Sequence, residues 1–302
     1  MSLRKALLVG INNYRDAPLR GCIKDVLQLK ALLQRYYSFS GEAIRLLLDE
    51  EATSTNITAG LEWLAKGRAE SDGLRVFHYS GHGSYLADKN GDEPDGRDEC
   101  LVPYDYQKAG MLTDDKLKIL YDRFPRTGNL TLVMDCCHSG SIQKAVEPDV
   151  LYRFLPVSTE EQQHIDAAAA RFAEEQQDFV VNQLLTLRGQ ELSETELRDK
   201  VRRLMVSFEK KRFGDIRVRE ANILLASCRP DQQAADAPIA GEYHGAFTYF
   251  LAEAIAQANG QITYRQLAEQ VGHKLGAAGY NQIPQLEYRA DLDQRLVFQP
   301  FL

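Results

Sequence analysis

Two short segments hold the residue types that a nucleophilic reaction needs: His78-Tyr79-Ser80-Gly81-His82-Gly83 and Asp135-Cys136-Cys137-His138-Ser139-Gly140. A thiol becomes a competent nucleophile when a nearby base or cation favours its thiolate, and an imidazole supplies that. Gly81 and Gly83 let the backbone pass close to a substrate. The backbone amides of Gly83 and Cys137 can then face the oxyanion of a tetrahedral intermediate. The residues alone do not choose between Cys136 and Cys137, because neighbours in sequence differ only in direction. Taken singly, a cysteine is most often a small buried hydrophobe, a reading that suits Cys22, Cys100 and Cys228. It suits the two segments less well, since each joins a base or a nucleophile to flanking Gly and Ser. A zinc site built from His78, His82, Cys136, Cys137 and His138 is disfavoured, because adjacent ligands fit poorly around one tetrahedral ion.

Something must bring these segments together. Lys5 to Ile11, Ala43 to Leu48, Leu74 to Tyr79 and Leu130 to Met134 are short apolar runs ending at polar or turn-forming residues, and they read as buried parallel strands. Helical patterns lie between them at Ile23 to Tyr37, at Ile57 to Lys66 after Thr53-Ser54-Thr55, and at Asp114 to Phe124 after Thr113. This alternation predicts an α/β fold with an open, mostly parallel central sheet of six or more strands flanked by helices. In such a sheet the crevice at the carboxyl ends of the strands binds ligands, and both segments sit at strand carboxyl ends. Gly83 to Gly96 reads as a long polar loop. From Ser158 the pattern changes to charged helices opened by Ser158-x-x-Glu161 and Ser193-x-x-Glu196, with stops at Gly189 and Gly214. This predicts a helical insertion over about 146–220. The sheet resumes with a strand at Ala221 to Ser227, a helix at Ala246 to Gln257, a helix capped by Thr263-x-x-Gln266, and a final strand near Leu296 to Phe298.

Composition narrows the partners. The 36 Lys and Arg against 43 Asp and Glu leave a net charge of -7, which offers no attraction to nucleic acid or an anionic membrane and leaves room for a basic substrate. The longest apolar stretches fall far short of the ~20 residues that span a bilayer, and the first residues lack a secretory signal pattern. Five cysteines without framework spacing suit a reducing, cytoplasmic compartment.

Tyr79-Ser80-Gly81-His82-Gly83 and Asp135-Cys136-Cys137-His138-Ser139-Gly140 resemble the two active-site motifs of metacaspases. The resemblance extends to Leu7-Leu8-Val9-Gly10-Ile11-Asn12, Leu19-Arg20-Gly21-Cys22-Ile23-Lys24-Asp25 and Asp98-Glu99-Cys100-Leu101-Val102-Pro103, in the family's order over about the first 145 residues. Ala226-Ser227-Cys228 and Gly245-Ala246-Phe247-Thr248 are similar to the family's small region. The absence of a eukaryote-like prodomain or zinc finger suggests a prokaryotic member of that family, an orthocaspase.

The resemblance implies a caspase-like domain over 1–302, with a large region to about 145, the insertion, and a small region from about 221. It implies a cysteine endopeptidase cutting after Arg or Lys, with Cys137 as nucleophile, His82 as base, and the Gly83 and Cys137 amides as oxyanion donors. It places Asp25, Ser80 and Asp135 in the pocket for the basic side chain, where carboxylates suit guanidinium or ammonium. A thiol and imidazole need no organic cofactor. Calcium is implied at Asp98, Asp114 and Asp115, while Lys144 stands where a fourth acidic residue is expected and would repel a divalent ion. Protein or peptide substrates and a monomeric state are implied as well. The insertion and its flanks offer Lys144, Arg153, Arg171, Arg188 and Arg203 as points for self-cleavage. A silent scaffold of the same fold, or a related peptidase of other specificity, is the competing expectation.

Overall fold

The computed structural model describes residues 3–67, 73–88, 96–124, 129–137, 149–185, 193–213, 222–229, 232–288 and 292–299. His138, Lys144, Arg188, Gly189 and Gly214 lie outside them. The chain runs through β1 (Arg4–Gly10), α1 (Cys22–Tyr37), β2 (Ile44–Leu48), α2 (Ser54–Ala65), β3 (Leu74–Ser80), β4 (Gly83–Ala87), β5 (Arg97–Leu101) and a one-turn α3 (Tyr106–Ala109). It continues through β6 (Leu112–Thr113), α4 (Asp114–Tyr121), β7 (Asn129–Asp135), β8 (Leu151–Tyr152), α5 (Thr159–Leu185), α6 (Glu194–Phe213) and β9 (Asn222–Ala226). The last elements are β10 (Ala235–Ile239), β11 (Glu242–Gly245), α7 (Ala246–Gln257), α8 (Tyr264–Ala277) and β12 (Gln285–Tyr288).

Two compact units emerge, one of Met1–Ser84, Glu99–Pro156 and Val218–Leu302, the other of Tyr85–Asp98 and Val157–Arg217. The first holds a six-stranded sheet in the order β12-β9-β7-β3-β1-β2. The pairs β1·β2, β1·β3, β3·β7 and β7·β9 are parallel. Within that sheet only β12 on β9 is antiparallel. Alternation along β1 sends Ala6 and Leu8 into one core with α1, α7 and α8, and Leu7 and Val9 into the other with α2 and α4. Both faces are therefore covered, which is why these strands read as continuous apolar runs. The second unit contains the charged helices α5 and α6. Ser158 caps the start of α5 by accepting from the Glu161 amide at 3.1 Å. Ser193 and Glu196 form a reciprocal box before α6.

Two expectations are corrected. The stretch after Gly83 opens as strand β4 rather than as loop. Leu296 to Phe298 forms no strand: Leu296 makes one isolated bridge to Thr263, and Phe298 turns to a φ of 50°. Val297 and Phe298 are buried, so apolar content imitates a strand there, while the true sixth strand is the more polar β12. Among the described residues no helix is long and apolar enough to cross a membrane.

Candidate active site

Strands β3 and β7 lie side by side in register, with Ser80 opposite Asp135, so the segments that follow them leave the sheet together. His82 is buried and held by its backbone. Its amide donates to the Tyr14 hydroxyl at 3.1 Å, and the Tyr79 hydroxyl donates to its carbonyl at 2.8 Å. Gly81 is required here, because a Cβ would lie 2.6 Å from the Tyr14 hydroxyl. The His82 ring packs on Tyr14 with centroids 4.6 Å apart. Its Nε2 lies 2.7 Å from the Ala17 carbonyl, which only accepts, so Nε2 carries the proton and Nδ1 is the basic nitrogen. Burial pushes the His82 pKa down to about 4, and the positive charge of Arg153 adds to that. The ring is neutral at pH 7.

Cys136 and Cys137 separate in space. Cys136 packs into the apolar cluster shared with Leu7 and Phe77, whereas Cys137 lies with Cys228, Ala234 and Phe154. The Cys137 Sγ receives the Ala234 N–H. Burial pushes the Cys137 thiol well above its ordinary value, so thiol and imidazole rest as a neutral pair.

The surroundings of these two residues are occupied by the chain itself. Arg153, fully buried, extends its guanidinium among Asp25, Ser80, Asp135 and Asp236. Nη2 lies 2.6 Å from Asp25 Oδ2 and 3.2 Å from Asp236 Oδ1. Nη1 lies 2.7 Å from Ser80 Oγ, 3.1 Å from the Asp135 carbonyl and 3.2 Å from Asp135 Oδ2. Thr248 fixes Asp135 through its amide at 3.1 Å and its hydroxyl at 2.6 Å, and the Gly245 amide donates to Asp25 at 3.0 Å. A Cβ on Gly245 would meet Asp135 at 2.4 Å and the guanidinium at 2.6 Å, so glycine alone fits. Burial by itself would lower the Arg153 pKa, but Asp135, with Asp25 and Asp236, outweighs it and holds the guanidinium charged. The Asp25 carboxyl is pushed up to about 7 by burial, with Arg153 opposing the rise.

The backbone of the same residue meets the oxyanion donors expected from the sequence. The Arg153 carbonyl accepts from the Gly83 amide at 2.9 Å and from the Cys137 amide at 3.2 Å. A Cβ at Gly83 would sit 2.0 Å from the Cys137 carbonyl, so this approach demands glycine. Upstream, Leu151 and Tyr152 pair antiparallel with β10, and the Arg153 amide donates to the Ala234 carbonyl at 3.1 Å. Downstream, the Leu155 amide donates to the Gly83 carbonyl at 2.9 Å. The segment thus pairs with β10 as far as Tyr152, bends at Arg153 and bridges to Gly83 at Phe154 as it passes through the site.

The structure brings Asp25, Ser80, Asp135, His82, Gly83 and Cys137 into one neighbourhood. Sequence reasoning missed Asp236, the Ala17 carbonyl and the role of Arg153 as occupant. The local signal that could have pointed there is glycine at places of close approach, Gly21 against Asp236 and Gly245 against the guanidinium. His78 instead donates Nδ1 to the Val133 carbonyl at 2.9 Å inside the sheet. Asp114 and Asp115 open α4 behind the N-cap Thr113, and Asp98 lies in β5 within the second unit. Among the described residues no group of three or more His, Cys, Asp or Glu is disposed to hold a metal ion.

Solved structures with the same fold include protein GSU0716 from Geobacter sulfurreducens, with TM-score 0.64 and 21% identity over 99% of this chain and 100% of that one. Caspase-1 from Spodoptera frugiperda aligns with TM-score 0.54 and 12% identity over 95% and 86%. These likenesses define the fold as caspase-like. The family model for the metacaspase peptidase C14 domain matches residues 4–145. Metacaspase-1 of Pyricularia oryzae is 32% identical over 98% of this chain and 74% of its own length. Metacaspase-1 of Mycosarcoma maydis is 31% identical over 98% and 72%, and that of Coccidioides immitis 30% over 98% and 63%. The chain belongs to the metacaspase family of caspase-like cysteine peptidases.

Proposed function

We propose that this protein is a cysteine endopeptidase that cleaves after Arg or Lys through Cys137 and His82, and that its own Arg153–Phe154 bond is a substrate. One observation carries the reading: Arg153 offers its guanidinium to three carboxylates while its carbonyl accepts from the Gly83 and Cys137 amides. A peptide bond with its side chain and its carbonyl both engaged, and with the chain paired on either side of it, is disposed as a substrate. Because thiol and imidazole rest neutral, the Cys137 proton passes to His82 Nδ1 as Sγ attacks the Arg153 carbonyl carbon. The two amides stabilise the oxyanion. Its collapse breaks the bond to Phe154, whose amine takes the proton from His82. Water, deprotonated by His82, then hydrolyses the thioester, freeing the Arg153 carboxylate and restoring the thiol.

Two of the other expected points of self-cleavage, Arg171 and Arg203, fit less well, while Lys144 and Arg188 lie outside the described residues. Arg171 and Arg203 lie within α5 and α6, and a helical backbone cannot lie extended in the site. Cleavage of other proteins follows by the same chemistry on basic residues. The reading takes the protein to act as a monomer in the cytoplasm, with neither nucleic acid nor membrane as partner. A calcium requirement through Asp98, Asp114 and Asp115 joins it only if added calcium or a chelator changes the rate. The test is intact-mass analysis of purified wild-type, Cys137→Ala and Arg153→Gln proteins over time. The wild type should yield a fragment ending at Arg153 and both variants should stay whole at that bond. The same cut in Cys137→Ala would sink the reading, and an uncut wild type that also leaves Arg peptides intact would favour a silent scaffold.

A further inference from the structure

Resting on that reading and deepening it, we infer that Asp236 makes the pocket select arginine over lysine. Asp25, Asp135 and Asp236 come from α1, β7 and β10, and all three are fully buried around Arg153. Their acceptors are divided between the two ends of the guanidinium fork. Asp135 and Ser80 take Nη1, while Asp25 and Asp236 take Nη2.

Lysine presents one shorter, compact ammonium in place of a planar fork. It cannot reach both sets of acceptors at once, so at least one buried carboxylate would keep only its backbone or hydroxyl donors and lose its cationic partner. That is the arrangement by which a polar site rejects an analogue that lacks a matching group.

Asp236 cannot swing away to relieve the mismatch. Its Oδ2 accepts the Arg20 amide at 2.6 Å and its Oδ1 the Gly21 amide at 2.9 Å. The contact with Gly21 is so close that a Cβ there would stand 2.3 Å from Oδ1. Asp236 also sits on the strand that pairs with Leu151 and Tyr152, so one element aligns the substrate backbone and reads its side chain.

The experiment compares kcat/KM for Leu-Tyr-Arg and Leu-Tyr-Lys fluorogenic peptides with wild-type and Asp236→Asn protein. The wild type should favour Arg by at least about tenfold, and Asp236→Asn should bring the ratio to within about threefold, mainly by weakening Arg. A wild-type ratio near one overturns the inference whether or not the variant folds. An unchanged ratio in the variant, with both substrates slowed alike, overturns it too, by assigning Asp236 only to holding the Arg20–Gly21 turn. Cleavage of neither peptide by wild type, with Arg153–Phe154 also uncut, overturns the peptidase reading and this inference with it.

Discussion

The two ends of strand β3 each bury an arginine completely, and the two are treated very differently. At the amino end, Arg75 donates Nε to the Leu64 carbonyl at 3.0 Å, and neither Nη nitrogen has a hydrogen-bond partner among the described residues. Burial lowers its pKa. At the carboxyl end, Arg153 finds acceptors on Asp25, Ser80, Asp135 and Asp236, drawn from four separate elements, and its pKa is raised instead. A guanidinium beside a lone carbonyl is packing with a polar cost, whereas one surrounded by preorganised carboxylates is held as a charged group with matched partners. Burial of a charge therefore says little about function until its partners are known.

Breaking the recognition end should have the largest effect. Gly83→Ala puts a Cβ against the Cys137 carbonyl and displaces the amide proposed to stabilise the oxyanion, so peptide hydrolysis should fall by about a hundredfold or more, read as kcat. Next comes Arg153→Met in the Cys137→Ala background, which leaves three carboxylates buried without their cation. Denaturant unfolding should show a loss of about 3–5 kcal/mol.

The middle of the same strand offers a test by pH. Burial lowers the His78 pKa from 6.5 to about 4, so the unfolded chain takes up the proton first as pH falls. The stability conferred by keeping His78 neutral is present above pH 6.5 and is lost as pH drops from there to about 4. Asp25 runs oppositely, since its raised value makes stability fall as pH rises from 3.8 towards about 7. The difference between Cys137→Ala and Cys137→Ala with His78→Gln isolates the histidine, and it should change by on the order of 3 kcal/mol across pH 6.5 to 4. The smallest effect is expected at Arg75→Met, within about 1 kcal/mol of the parent, because it exchanges a poorly paired buried cation for apolar contact. A loss as large as that of Arg153→Met would erase the contrast between the two ends.

Local chemistry by itself determined much of this protein. The runs that became β1, β2, β3, β7 and β9 are apolar on both faces because helices cover both, and that pattern is visible without coordinates. Helix α7 was legible to the residue, and α8 through its complete capping box at Thr263 and Gln266. The loops bearing His82 and Cys137 stood out because glycines flank reactive groups at strand ends. Only the tertiary structure decided that the Cys137 amide meets the Arg153 carbonyl while Cys136 joins the apolar core, that the Ala17 carbonyl fixes the tautomer of His82, and that Arg153 lies among Asp25, Ser80 and Asp135. It also showed Asp236 there and replaced the expected strand at Leu296 to Phe298 with β12. The reason is physical: strands and caps are set by neighbours within a few residues, whereas the pocket is closed by Asp25, Ser80, Asp135, Arg153 and Asp236. Those residues meet only after the sheet has aligned its strand ends, and no local pattern along the chain encodes that meeting.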